Sequence, residues 1–240
     1  MFTSFKFILS EICLCFFFSR LYQQPLVDGA FYRRRAQIML GDAAPKERAD
    51  ELYGYCLRHL SDKNEVSTLY RIFYYDCPPM EKKLWHPFLQ KQIDYSKTPH
   101  CEWMKNFLEE LKTHRKLALR LGVLAEEQAH FSIRSDIVKK LCNGSKRFED
   151  LTKEDYFLNV TQKGVDMKIG LDIASLAFKR QVDKIVLISG DSDFVPAAKL
   201  ARREGIDLVL DPLFNKIKPD LFEHIDGLKT CDNKFRSKNQ

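Results

Sequence analysis

The spacing of apolar positions changes several times along the chain, and each change marks an element. The most compact signal is a run of four, Ile185, Val186, Leu187 and Ile188, that stops abruptly at Ser189 and Gly190. A short unbroken run rich in β-branched residues suits a strand buried on both faces of a parallel sheet. Asp191 and Asp193 come next, followed by a helical pattern in which Phe194, Ala197, Ala198, Leu200 and Ala201 share a face until Gly205. Ser192 or Asp193 can cap that helix, and Pro196 is tolerated in its first turn. Residues 206–210 then predict another strand. Strand, acidic turn, helix and strand make one βαβ unit, whose crossover is expected to be right-handed.

Elsewhere the same reading gives further elements. Residues 163–181 put Val165, Ile169, Asp172, Ile173, Leu176 and Ala177 on one helical face. Asp172 therefore points toward whatever that face covers, where a carboxylate needs a partner. Asp166 falls in the first turn, where the helix dipole favours an anion. Residues 46–62 and 103–116 predict amphipathic helices, residues 67–76 an aromatic and β-branched strand stopped by Cys77, Pro78 and Pro79, and residues 117–124 a strand. Residues 80–100 mix Trp85, His86, Phe88, Tyr95 and His100 with lysines and read mostly as a loop with its own packing; residues 131–157 read as surface loops and short helices. Residues 21–28 predict a first strand ending at Asp28 and Gly29. Gln23, Gln24 and Pro25 predict it to be short or irregular, because proline cannot donate to a central ladder.

Composition changes this picture in three places. A formal charge of +6 alongside an acidic turn puts positive charge elsewhere on the surface, as a protein handling a polyanion would carry it; a mildly basic solvated surface is the plain alternative. Seven scattered cysteines without paired spacing argue for reduced thiols and a cytoplasmic setting rather than disulfides or zinc. Residues 1–21 differ from the rest: an apolar stretch broken by Glu11, too short for a comfortable membrane span. The readings open for it are a poor signal or anchor, a helix packed on the domain, or sequence joined on by an alternative start or an exon or gene-model error. The last two are preferred, no stable membrane association is expected, and the core is expected to fold without it. The domain itself is expected over 22–215, with an insertion around 77–160 and a tail over 216–240.

The chemistry rests on carboxylates. Two on one tight turn repel one another unless something positive lies between them, and hard oxygen ligands on a strand end suit Mg²⁺ or Mn²⁺. For a lone pair such as Asp191 and Asp193, a turn and a helix cap are the ordinary explanation. Here Asp28, Asp166 and Asp172 are predicted to arrive beside them, with Asp28, Asp166 and Asp191 close enough to share an ion and Asp193 on the same rim. Arg33, Arg34 and Arg35 follow Asp28 directly, where guanidinium groups could hold phosphates bidentately; a solvated helix face explains the same run.

The stretches KGVD at 163–166, LD at 171–172 and VLISGDSDFVPAAKLARREG at 186–205, with an upstream VDGAFY, resemble the NYN domain, a relative of the PIN-type nucleases. The resemblance covers roughly residues 26–213. It implies a three-layer α/β/α sandwich with a mainly parallel sheet, and metal-dependent cleavage of RNA by acids at the sheet's carboxyl edge. Carried over by motif position, those acids are Asp28, Asp166, Asp172, Asp191 and Asp193. Asp28 and Asp191 are then central Mg²⁺ or Mn²⁺ ligands, Asp166 and Asp193 further ligands, and Asp172 outer support. Lys163, Ser189, Ser192 and Arg33 to Arg35 are left to orient phosphates of the RNA. Where this group often carries Asn after the first Asp-Gly pair, the chain has Phe31. A catalytically silent RNA- or protein-binding module is the alternative from another class. A metal-dependent phosphatase ranks lower, because the first strand ends in Asp28, Gly29 and Ala30 rather than in a pair of spaced aspartates. A homo-oligomer is left open.

Overall fold

The computed structural model describes residues 21–61 and 67–231, so the expectations for residues 1–20 lie outside the described residues. Six strands form the path of the central sheet: β1 (Tyr22–Asp28), β2 (Ile72–Asp76), β3 (Leu117–Leu121), β4 (Lys184–Ile188), β5 (Asp207–Asp211) and β6 (Gly227–Leu228). A seventh, Thr68–Leu69, pairs only with the start of β1. The order across the sheet is β6-β5-β4-β1-β2-β3, and every pairing is parallel. The chain thus starts in the middle, winds outward through β2 and β3, and crosses back to continue from the other side of β1. In doubly wound sheets of this order the ligand crevice lies at the carboxyl ends of the two strands where the winding reverses, here β1 and β4.

The helices are α1 (Gly29–Leu40), α2 (Pro45–Arg58), α3 (Pro99–Thr113), α4 (Ser135–Cys142), α5 (Val165–Phe178), α6 (Val195–Arg203) and α7 (Pro219–Glu223). Successive strand side chains point to opposite faces, and the two faces are covered by different helices. Val27, Tyr74, Val186 and Val209 meet Tyr32 of α1, Leu52 of α2 and Phe107 of α3. Leu26, Tyr75, Leu187 and Leu210 meet Ile169 of α5, Ala198 of α6 and Leu221 of α7. The four apolar residues of β4 are each at most 1% exposed, and burying such a side chain stabilises by about 1.5–3 kcal/mol. That burial on both faces holds the strand beneath Asp191 in place.

Several expectations need correction. β1 is neither short nor irregular but a continuous strand of seven residues, with Pro25 buried inside it. The carbonyls of Leu21 and Gln23 accept bonds from Thr68 and Tyr70, so odd-numbered residues of β1 turn their backbone polar groups toward that side. On the same side the pairing register runs from Gln23 opposite Leu69 directly to Leu26 opposite Phe73. Pro25 falls in the gap, where an absent N–H breaks no ladder bond. Residues 67–76 divide at the same gap into two strands. Residues 80–100 contain an antiparallel hairpin, Lys83–His86 with Lys91–Asp94, and strands His130–Ile133 and Tyr156–Asn159 form a second hairpin around α4. His86 packs between the hairpins, its ring 4.2 Å from that of Phe131 and 5.8 Å from that of Tyr156. Residues 219–228, anticipated as tail, add α7 and β6 to the sheet.

Candidate functional site

Asp28 closes β1 and caps α1. One carboxylate oxygen accepts the Phe31 amide at 3.0 Å and the other accepts the Ser189 hydroxyl at 3.1 Å. Ser189, fully buried at the end of β4, also accepts the Asp191 amide at 3.3 Å. A single hydroxyl therefore ties the two strand ends at which the winding reverses. Asp191 in turn accepts the Asp193 amide at 3.1 Å, which sets the turn before α6. Asp166 stands at the surface in the first turn of α5.

Gly29 brings a further carboxylate close. A methyl group there would lie 2.4 Å from the Tyr74 ring and 2.6 Å from Asp76 Oδ2, so only glycine lets α1 start this near the end of β2. Asp76 is completely buried. It accepts two bonds from Arg33, Nε to Oδ2 at 2.8 Å and Nη2 to Oδ1 at 3.0 Å, together with the Tyr74 hydroxyl and the Cys77 amide, each at 2.8 Å. Sequence reasoning passed over Asp76 because it ends an aromatic run and precedes two prolines. The available signal was positional: β1, β2 and β5 each end in aspartate, and Asp76 repeats the arrangement at Asp28.

The electrostatics separate these acids. Burial raises the Asp28 carboxyl above the usual range; the bonds from Phe31 and Ser189 oppose this, and the charges of Asp166 and Asp76 add to it. The Asp166 carboxyl is also raised, first by desolvation and then by Asp191 and Asp193. Asp76 has a cation of its own in Arg33. Among the described residues no lysine or arginine pairs with Asp28, Asp166, Asp191 or Asp193, while Asp172 accepts the Tyr75 hydroxyl at 2.9 Å and lies 3.3 Å from Arg120 Nε. Asp172 is thus partnered on the α5 face of the sheet, by residues level with Asp28 in the strand register. The expected convergence of Asp28, Asp166 and Asp191 is not found: among the described residues no three His, Cys, Asp or Glu side chains gather closely enough to hold an ion as they stand.

The predicted phosphate-orienting residues disperse. Arg33 is held by Asp76, the exposed Arg34 bonds the Ala30 carbonyl of its own helix at 3.2 Å, and Arg35 reaches the Leu213 carbonyl at 2.7 Å on the β5 side. Ser192 accepts the Lys218 ammonium at 2.9 Å, and Lys163 is exposed just before α5. Phe31 stands at the crevice itself: a methyl group on Gly190 would lie 2.9 Å from its ring.

A model of the NYN domain matches residues 92–219, just over half of the chain. The chain belongs to the NYN domain family. NYN domains are part of the PIN-like superfamily, and the nuclease-type fold of that group is the one described above. The matched stretch contains Asp166, Asp172, Asp191, Asp193 and Ser189, whereas Asp28, Arg33 and Asp76 lie before it, on β1, α1 and β2 of the same NYN domain's sheet and helices. No curated protein matches the chain. Among solved structures, a protein of unknown function from Vibrio parahaemolyticus is similar at 13% identity, with a TM-score of 0.45, over 90% of this chain and 96% of that one. Among the described residues no helix is long and apolar enough to cross a membrane.

Proposed function

We propose that this NYN domain hydrolyses RNA phosphodiester bonds with a divalent cation, Mg²⁺ or Mn²⁺, at the crevice between β1 and β4. One observation carries the reading: Asp28 and Asp166 have carboxyls raised first by burial and further by the repulsion of neighbouring carboxylates, Asp166 and Asp76 for Asp28, Asp191 and Asp193 for Asp166, and among the described residues no lysine or arginine pairs with either. A divalent ion would relieve that repulsion. Carboxylate oxygens are the hard donors such an ion takes, and Mg²⁺ commonly keeps several waters and only one or two carboxylates, so a site without a three-residue cage fits its habits. Asp28 and Asp191 would hold it, with Asp166 and Asp193 in reach through water. Arg33 already neutralises Asp76, which argues for one ion rather than two. When bound, the cation supplies Lewis-acid stabilisation of phosphate oxygens and a more acidic water. The chain's own contribution is to hold Asp28 through Phe31 N–H and Ser189 Oγ, and to aim the Asp191 turn from a rigid strand.

The experiment is RNA cleavage by the purified protein, with labelled single-stranded and hairpin RNA in Mg²⁺, Mn²⁺ or EDTA, beside Asp191→Asn. The substitution keeps shape and removes charge, so cleavage and Mn²⁺ binding should fall together while the melting transition persists. Full Mg²⁺-dependent cleavage by the variant would remove Asp191 from the reading. No cleavage by the parent with any metal would favour a second reading, a silent binding module, for which Phe31 packed over Gly190 beside Asp28 is the supporting observation.

A further inference from the structure

Between the outer face of α1 and the first turns of α2 and α3 lies a cavity of about 500 Å³, within the range of sites that take small organic ligands. Its chemistry is mixed in a particular way. Trp103 supplies an aromatic wall, fixed by its Nε1 donating to the Ala43 carbonyl at 2.9 Å and by stacking on Phe107 with ring centroids 5.0 Å apart. Ile38 is 72% exposed at the same cavity, an apolar side chain left facing solvent. Three guanidinium groups line it, those of Arg33, Arg34 and Arg48, against the single carboxylate of Asp42.

The three arginines are not equivalent. Arg33 is committed to Asp76. Arg48, 3% exposed, is committed to the Gly41 carbonyl at 2.6 Å and lies 3.0 Å from Glu51, which holds the turn between α1 and α2 rigid. Arg34 uses only its Nε, on Ala30, and among the described residues its terminal nitrogens pair with nothing. The cavity therefore offers a flat aromatic wall, an exposed aliphatic edge and one uncommitted fork-shaped cation. Those are the elements that take a base by stacking and its phosphate by paired N–H donors. The amide of Gln37, which bonds Asp42, adds a donor and acceptor at the same wall. Arg33 lines the cavity and grips Asp76 at the end of β2, so a strand leaving the cavity past Arg33 runs toward the acidic crevice.

We infer that this cavity is a nucleotide subsite: it takes one unpaired nucleotide of an RNA strand, base against Trp103 and Ile38 and phosphate on Arg34, and so positions the strand relative to Asp28 and Asp191. The inference rests on RNA being the substrate of the crevice, and its test does not require cleavage. The protein carries Trp85→Phe, leaving Trp103 as the sole tryptophan of the two, with Asp191→Asn, in EDTA. Octamers of unstructured RNA should shift Trp103 emission. Arg34→Ala and Ile38→Asp, both on the exposed face of α1, should each weaken RNA binding about 5- to 150-fold, the loss that follows when one stacked base is no longer held. Unchanged affinity in both variants, with no Trp103 response, overturns the subsite. A Trp103 response to mononucleotides but not to RNA overturns the strand assignment in favour of a free nucleotide. If RNA binds here as described while the parent with Asp191 cleaves nothing in any metal, the subsite stands and the hydrolase reading falls.

Discussion

Arg33 and Asp76 form a two-bonded ion pair across the start of α1 and the end of β2, with the carboxylate wholly buried and the guanidinium side chain 20% exposed. The pair decides which of the strand-end acids lacks a counter-charge. Removing its cation strands a buried anion, which costs about 3–5 kcal/mol. Arg33→Ala should therefore lower the midpoint of urea unfolding strongly, and Arg33→Lys should recover only part, because a point charge cannot reproduce the fork. A loss under 1 kcal/mol for Arg33→Ala would show that the pair is not what neutralises Asp76.

Gly29 and Gly170 make a matched test of space. Alanine at Gly29 collides with Tyr74 and Asp76 and should destabilise by about 1–3 kcal/mol, the usual cost of overpacking. Alanine at Gly170, in the middle of α5 with nothing within 4 Å of the new methyl, should stabilise by about 0.5–1 kcal/mol through helix propensity. Thermal melts of the two variants should move in opposite directions.

His86 makes the hairpins sensitive to acid. It is 2% exposed, and desolvation, reinforced by Lys153, lowers its pKa below the ordinary 6.5. The unfolded chain then takes a proton before the folded one does. The stability is complete above about pH 6.5 and is lost as the pH falls from there toward the depressed folded value. Melting temperature should drop between pH 7 and pH 5, and His86→Phe should flatten that slope. An unchanged slope in the variant would assign the acid sensitivity to other groups.

Pro25→Ala tests the gap beside β1. Since no ladder bond is missing at Pro25, alanine gains none, while the unfolded chain becomes more flexible. The variant should lose about 0.4–1 kcal/mol, measured by chemical denaturation. A gain in stability would mean that the proline had broken a bond after all.

These residues also mark what could be read from the chain. The βαβ unit around β4 and the helix carrying Asp166 and Asp172 were legible because their apolar spacing is local and regular. The course of β1 was not, since whether a proline interrupts a strand depends on the neighbour, and here the neighbour pauses at Tyr70 and Arg71. Asp191 and Asp193 announce themselves on a glycine turn. Asp76 does not, because its significance comes from Arg33, 43 residues away. The arginine run reads as one feature in sequence but is split by helical geometry into three destinations: a carboxylate, a cavity and a carbonyl beyond β5.

The Ser189 to Asp28 bond spans 161 positions of chain. The central strand pair is thus also among the most remote in sequence, and contacts of that kind form late because a long loop must close before they repay it. A ribosome would have to release the chain through Ile188 before β1 could pair with β4. Until then Asp28 ends a strand that can pair on one side only, with Thr68–Leu69 and β2. The crevice therefore comes into being only once β4 has been made, and a chain that stops short of it carries Asp28 without its Ser189 partner.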